Sequence, residues 1–201
     1  MTIAYEVGDG LYLNLTNRCS CDCLFCLRGN QETVGEGNGS LWLAREPTWG
    51  EIADALAARD LSRYGEIVFC GFGEPTERLD VLLRAARVVK ARATGKSVRV
   101  NTNGHASLLA GRDVTPELRG LVDVLSISLN YPTASAYVEN CRPQFGEAAW
   151  EGLMDFAHQA KTYVPEVILT VVDVISPEDI ESCRRIAERL GVKFRVRTFI
   201  S

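Results

Sequence analysis

Four of the chain's seven cysteines fall within eight residues, in the stretch NRCSCDCLFC at positions 17–26. Cys19, Cys23 and Cys26 have the spacing C-x3-C-x2-C. Three thiolates on one short loop can each hold one iron of a cubane iron–sulfur cluster, leaving the fourth iron without a protein ligand, and an open metal position suits catalysis. Two other chemistries use the same residue types. A structural zinc site wants two separated cysteine pairs, and only Cys23-x2-Cys26 resembles one. An electron-transfer cluster wants a distant fourth ligand, for which Cys70, Cys141 and Cys183 are the candidates. An odd cysteine number crowded at one place fits metal ligands in a reducing compartment better than a disulfide framework.

The elements that must position this loop follow from periodicity. IAYEV-GDG-LYLNLT reads as a hairpin around a Gly-Asp-Gly turn leading into a first main strand at Leu11–Leu15, directly before the cysteines. From Gln31 to Pro47 the glycines at 35, 37 and 39 predict a mobile functional loop. Helices then alternate with strands. The pattern predicts helices over positions 48–60, 79–93, 116–120, 147–161 and 177–190, with strands over 66–70, 97–101, 123–130, 166–172 and 193–198. Helical crossovers imply parallel, right-handed connections. A closed eight-unit barrel typically needs about 250 residues, so 201 residues fit an α/β open partial (β/α)6 barrel with parallel strands and a short N-terminal β-hairpin. The chain reads as a single core domain: hairpin and first strand over 1–16, cysteine loop and glycine-rich segment over 17–48, and the remaining units over 49–201.

A parallel strand covered on both faces should be apolar throughout. Several of these strands instead carry polar residues at every second position: Tyr12, Asn14 and Thr16; Arg99, Asn101 and Asn103; Ser126, Ser128 and Asn130; Arg195 and Arg197. The alternation predicts a polar lumen, with its functional rim at the strand C-termini.

The segment C-x3-C-x-aromatic-C resembles the radical S-adenosylmethionine (SAM) superfamily, and three further segments share the resemblance. GFGEPT at 71–76 is similar to the family's Gly-Gly-Glu segment, NTNGH at 101–105 to its Thr-Asn-Gly ribose segment, and SLN at 128–130 to its Ser-Leu-Asp. The resemblance implies a [4Fe-4S] cluster on Cys19, Cys23 and Cys26, with Cys21 spare, and S-adenosyl-L-methionine chelated at the open iron. The cofactor contacts it implies are Phe25, Gly71, Phe72, Gly73, Glu74, Asn101, Thr102, Asn103, Ser128 and Asn130. Gly71 and Gly73 would let backbone carbonyls approach the methionine ammonium, and Asn130 replaces an acid with an uncharged amide. The activity implied is reductive SAM cleavage to a 5′-deoxyadenosyl radical that abstracts hydrogen from a substrate.

Three residues are candidates for catalysis: Arg28, beside the cluster loop, for the SAM carboxylate or a substrate anion; Cys141, in the loop after the fourth strand, as a hydrogen donor; and Arg197, with Arg195, for a carboxylate or phosphate on the substrate. His105 beside the ribose segment is a further candidate contact, whereas Cys70 and Cys183 read as core. The FCLRGN and RVRTFI segments make the chain most similar to the small TatD-linked radical SAM proteins, which implies a link to a TatD-type hydrolase and a flavodoxin or ferredoxin-type reductant. A 7-carboxy-7-deazaguanine synthase, a glycyl-radical activase and a non-catalytic electron carrier are the alternatives. A net charge of −4 gives no support to a nucleic-acid partner. No apolar run nears the roughly 18–20 residues of a membrane span, and the first residues lack a secretory signal, so a cytoplasmic protein is expected.

Overall fold

In the computed structural model, which describes residues 1–35 and 37–199, strands β1 (Ala4–Val7) and β2 (Gly10–Leu13) form the expected antiparallel hairpin, with Tyr5 opposite Tyr12. Strands β3 (Glu66–Phe69), β4 (Ser97–Thr102), β5 (Val124–Ser128), β6 (Glu166–Val172) and β7 (Lys193–Arg197) then add in chain order, each parallel to the one before. The sheet is open, with β1 and β7 at its edges. Five neighbour spacings of about 4.8 Å would put β2 and β7 some 24 Å apart in a flat sheet. Tyr12 of β2 and Arg197 of β7 nevertheless line one cavity, so the sheet curls around a lumen.

The outward faces supply the core. Leu11, Leu13, Ile67, Phe69, Val98, Val100, Leu125, Ile127, Leu169 and Val171 are buried in one apolar cluster under the helices. These are α1 (Trp49–Ala57), α2 (Leu79–Arg92), α3 (Ala106–Ala110), α4 (Ala134–Cys141), α5 (Ala148–Ala160) and α6 (Pro177–Leu190). Their ends carry the signals the sequence offers. Thr48 and Glu51 form a capping box on α1, and Ser176 caps α6, which has Pro177 in its first turn and stops at Gly191, φ +66°.

Four expectations need correction. Positions 116–120 form a single 3-10 turn, Thr115–Leu118. Helix α4 is absent from the predicted pattern because its eight residues, ASAYVENC, bury only Tyr137 and Cys141 and so have no apolar stripe. Cys141, expected in a loop, is the last residue of that helix and fully buried. The glycine-rich segment is also anchored rather than loose at its far end. Leu41 packs with Tyr5 and Phe72, Asn14 Nδ2 donates to the Leu41 carbonyl at 2.7 Å, and Asn17 pairs with both backbone groups of Leu43. Glu36 of that segment and Ile200 of the RVRTFI ending lie outside the described residues. Among the described residues, no helix is long and apolar enough to cross a membrane.

Candidate active site

The lumen opens at the strand C-termini into a cavity of about 440 Å³, within the usual range for small-ligand sites. Cys19, Cys21, Cys23 and Cys26 border it, together with Gly71–Glu74 after β3, Asn101–Asn103 at the end of β4, Ser128 and Asn130 after β5, and Arg197 of β7. Residues spread over 179 positions of sequence are thus brought to one hollow, Cys19 at one end and Arg197 at the other.

The cysteine loop runs Thr16 to Gly29 with one 3-10 turn, Leu27–Gly29, and takes its shape from two outside supports. One is the C-terminus of α4. Its last carbonyls have no helical partner, and those of Asn140 and Cys141 accept the amides of Leu24 and Asp22, both at 3.0 Å. The other is a buried polar chain behind Cys21. Asn103 Nδ2 donates to Ser20 Oγ at 2.8 Å, Ser20 Oγ lies 3.0 Å from His105 Nδ1, and His105 Nε2 lies 3.1 Å from Tyr137 Oη. Burial pushes the His105 imidazole down to about 4, so it is neutral at physiological pH. His105 therefore sits behind the loop as a strut. Cys21 is buried in the same chain, 3.6 Å from Tyr137 Oη and 3.7 Å from Asn103 Nδ2.

Cys19, Cys23 and Cys26 are half-buried and free. The hydrogen bond with Cys21 and then burial raise the Cys19 thiol; a contact with Cys141 raises Cys23, and burial raises Cys26. The metal-ligating form is the thiolate, so a metal bound here would displace these protons. Among the described residues no three His, Cys, Asp or Glu side chains gather around a single point as one ion would require.

Glu74 has a different task. Its Oε1 accepts from the Thr76 amide (3.0 Å), Thr76 Oγ1 (2.7 Å) and Thr102 Oγ1 (2.8 Å), and its Oε2 accepts from the Asn103 amide (2.7 Å). Burial raises the carboxyl while these donors act against it. The side chain thereby ties the end of β3 to the end of β4. The flanking glycines are dictated by crowding: a Cβ on Gly71 would lie 2.1 Å from Asn14 Oδ1, and one on Gly73 2.2 Å from the Thr16 carbonyl oxygen and 2.6 Å from that of Arg18.

The opposite wall is less complete. Ser128 Oγ accepts from Arg197 Nη2 at 3.3 Å, and Asn130, in the left-handed region at φ +59°, points Nδ2 toward Cys141 Sγ at 3.7 Å. Asn130 Oδ1 and the Nε of Arg197 are buried there without a protein partner, and across the lumen on β4 the Oδ1 of Asn101 is too. Arg28 lines the cavity while donating to the Cys21 carbonyl (3.3 Å) and Asp22 Oδ1 (3.2 Å), and Phe25 and Phe72 supply apolar walls. Cys141 does not line the cavity. Cys70, assigned to the core on its sequence, does: it is half-buried, and its parity with Glu66 and Val68 carries the signal, since both precede it on the lumen side. Tyr137 carries no sequence signal, because it belongs to the helix that the pattern does not reveal.

Against known proteins, residues 13–190 match the family described as the Radical SAM superfamily. A probable GTP 3′,8-cyclase from Methanocella arvoryzae is 32% identical over 141 residues, 68% of this chain and 40% of its own length. A dual-specificity RNA methyltransferase RlmN from Syntrophobacter fumaroxidans is 41% identical over 76 residues, 35% of this chain and 19% of its own. The chain therefore spans about two fifths and one fifth of these relatives. A radical SAM methyltransferase from Sphaerobacter thermophilus superposes with a TM-score of 0.63 at 19% identity, over 97% of this chain and 57% of that one. Streptococcus suis SuiB bound to S-adenosylmethionine does so with a TM-score of 0.64 at 12% identity, over 94% and 40%. At these identities the structural likeness speaks for the fold alone.

Proposed function

The chain belongs to the radical SAM superfamily, and on that footing we propose that it is an enzyme in which Cys19, Cys23 and Cys26 hold a [4Fe-4S] cluster and the adjoining cavity receives SAM. The observation that carries the reading is the convergence of three free thiols and two orphaned amide oxygens, of Asn101 and Asn130, on one hollow of about 440 Å³. Buried polar atoms without partners are rare in folded proteins and mark a place where a ligand completes the bonding. Thiol ligands, amide acceptors and an aromatic wall at Phe25 fit a cluster beside a zwitterionic nucleoside.

When bound, the pair supplies one-electron cleavage of the sulfonium and a 5′-deoxyadenosyl radical for hydrogen abstraction. The chain's own share is positional. Glu74 and Asn103 fix the two strand ends that frame the cofactor, the α4 carbonyls fix the cysteine loop, and Asn101, Ser128 and Asn130 present hydrogen-bonding groups. Phe25, Phe72, Tyr5 and Tyr12 exclude water along the other side. Radical SAM enzymes need an electron donor; a flavodoxin or ferredoxin-type protein is our candidate, and Leu24, a 58% exposed apolar side chain within the cysteine loop, gives such a donor a contact. The FCLRGN segment supports membership of the TatD-linked subgroup and a functional link to a TatD-type hydrolase.

Anaerobic reconstitution followed by dithionite and SAM tests the reading. The native chain is expected to form 5′-deoxyadenosine; replacing Cys19, Cys23 or Cys26 by alanine abolishes it with the cluster, while Cys21→Ala keeps its iron. Absence of 5′-deoxyadenosine from the native chain, with no effect of SAM on the cluster's EPR signal, would sink the enzyme assignment.

A further inference from the structure

Inside the lumen the cations are treated unequally. Arg99 of β4 is paired with Glu66 of β3. Arg195 and Arg197 of β7 reach over β6 to Ser126 Oγ (3.2 Å) and Ser128 Oγ (3.3 Å) of β5. Among the described residues neither makes an ion pair. Each also buries an Nε that has no acceptor; so does Arg99, but its charge is already met by Glu66. A guanidinium presents Nε and one terminal nitrogen as a fork, and the group that closes a fork is a two-oxygen anion.

We propose that Arg197, backed by Arg195 one row deeper, seats a carboxylate or phosphate group of the substrate on the β7 wall of the cavity. The site deepens the reading given above and rests on it. Arg197 borders the same hollow as the three cysteines, so a molecule anchored there extends across the lumen toward the place assigned to SAM. The second arginine raises the positive potential behind the first, in surroundings where water screens little. Burial holds the Arg197 guanidinium below its ordinary value, with the Cys70 sulfur acting against this and Arg195 with it. Glu74 is not that anion: among the described residues it makes no ion pair with Arg197, and its carboxylate is engaged by the β3 and β4 loops.

Calorimetric titration of the anaerobic, cluster-loaded, SAM-saturated protein with inorganic phosphate, and separately with malonate, tests the site. At least one anion is expected to bind. Arg197→Gln is expected to weaken that binding at least tenfold and Arg195→Gln about threefold, with exposed Arg112→Gln as the control. Tighter phosphate binding would assign a phosphorylated substrate, tighter malonate binding a carboxylate. Should Arg197→Gln not fold, Arg197→Lys takes its place, with a weakening of about threefold because an ammonium lacks the fork. Failure of both anions to bind the native protein, or equal binding to the Arg197 variant, overturns the proposal. So does a parallel tenfold loss of SAM affinity in Arg197→Gln, which would place the arginine on the cofactor. Production of 5′-deoxyadenosine by the native protein is scored separately, so loss of the anion site and loss of the radical SAM reading remain distinguishable.

Discussion

Glu74, just after β3, and Arg197, at the end of β7, are charged residues bordering one cavity, yet four donors converge on the carboxylate while the guanidinium has a single side-chain bond, to Ser128. Their immediate surroundings differ in the same way. Around Glu74 the polar groups of Thr76, Thr102 and Asn103 are bound to its carboxylate, and Gly71 and Gly73 are squeezed against the chain leaving β2. Around Arg197, on the β5–β7 side, Asn130, Arg195 and Arg197 each keep a buried atom without a partner, as Arg99 and Asn101 of β4 do deeper along the lumen. A group whose bonds are all internal shapes the site, whereas a buried group with unused bonds awaits a ligand.

The comparison can be broken at its strong end first. Glu74→Ala leaves the Thr76, Thr102 and Asn103 donors without acceptor, and should cost roughly 3–5 kcal/mol in denaturant unfolding. Glu74→Gln, which keeps an acceptor, should cost less than half of that; equal costs would show that charge rather than bonding matters. The strut behind the cysteine loop gives a pH test. His105 has a folded pKa of about 4, below the 6.5 of an unfolded histidine, so the unfolded chain takes up a proton first as pH falls. The stability from keeping it neutral is complete above about pH 6.5, declines below that, and has lost about 3 kcal/mol by pH 4. An imidazole NMR titration checks this directly, since the chain has two histidines; a His105 that titrates near 6.5 would contradict the buried strut. Gly73→Ala should cost about 2–3 kcal/mol by forcing Cβ onto the Thr16 and Arg18 carbonyls. The smallest effect is expected on the other wall: Arg197→Gln removes one hydrogen bond from a group with an unused donor, and should change stability by less than about 1 kcal/mol. A larger loss would make Arg197 part of the frame and erase the contrast.

Much of this was legible in the residues themselves. Alternation along β4, β5 and β7 reveals a polar lumen because strand side chains change face at every step, a rule that needs no knowledge of the partner strand. Thr48, Ser176 and Gly191 mark helix ends because caps are local. Helix α4 escapes such reading, since two buried residues in eight make no stripe, and with it escape Tyr137 and the carbonyls that hold the cysteine loop. Cys70 shows the limit of parity: being on the lumen side of a strand is readable, but bordering an open cavity depends on how the sheet curls.

By itself, then, the sequence determined the family, the order of the strands, the three candidate ligands and the inward face of the four strands with polar alternation, because spacing and alternation are properties of neighbouring residues. Which polar groups find partners was decided only by the tertiary structure. Glu74 meets Asn103, His105 meets Ser20 and Tyr137, and Arg197 reaches Ser128, across separations of 29, 85, 32 and 69 residues. Pairings at that range depend on the curvature of the sheet and on which loops pass close enough to bond, and no local pattern encodes either.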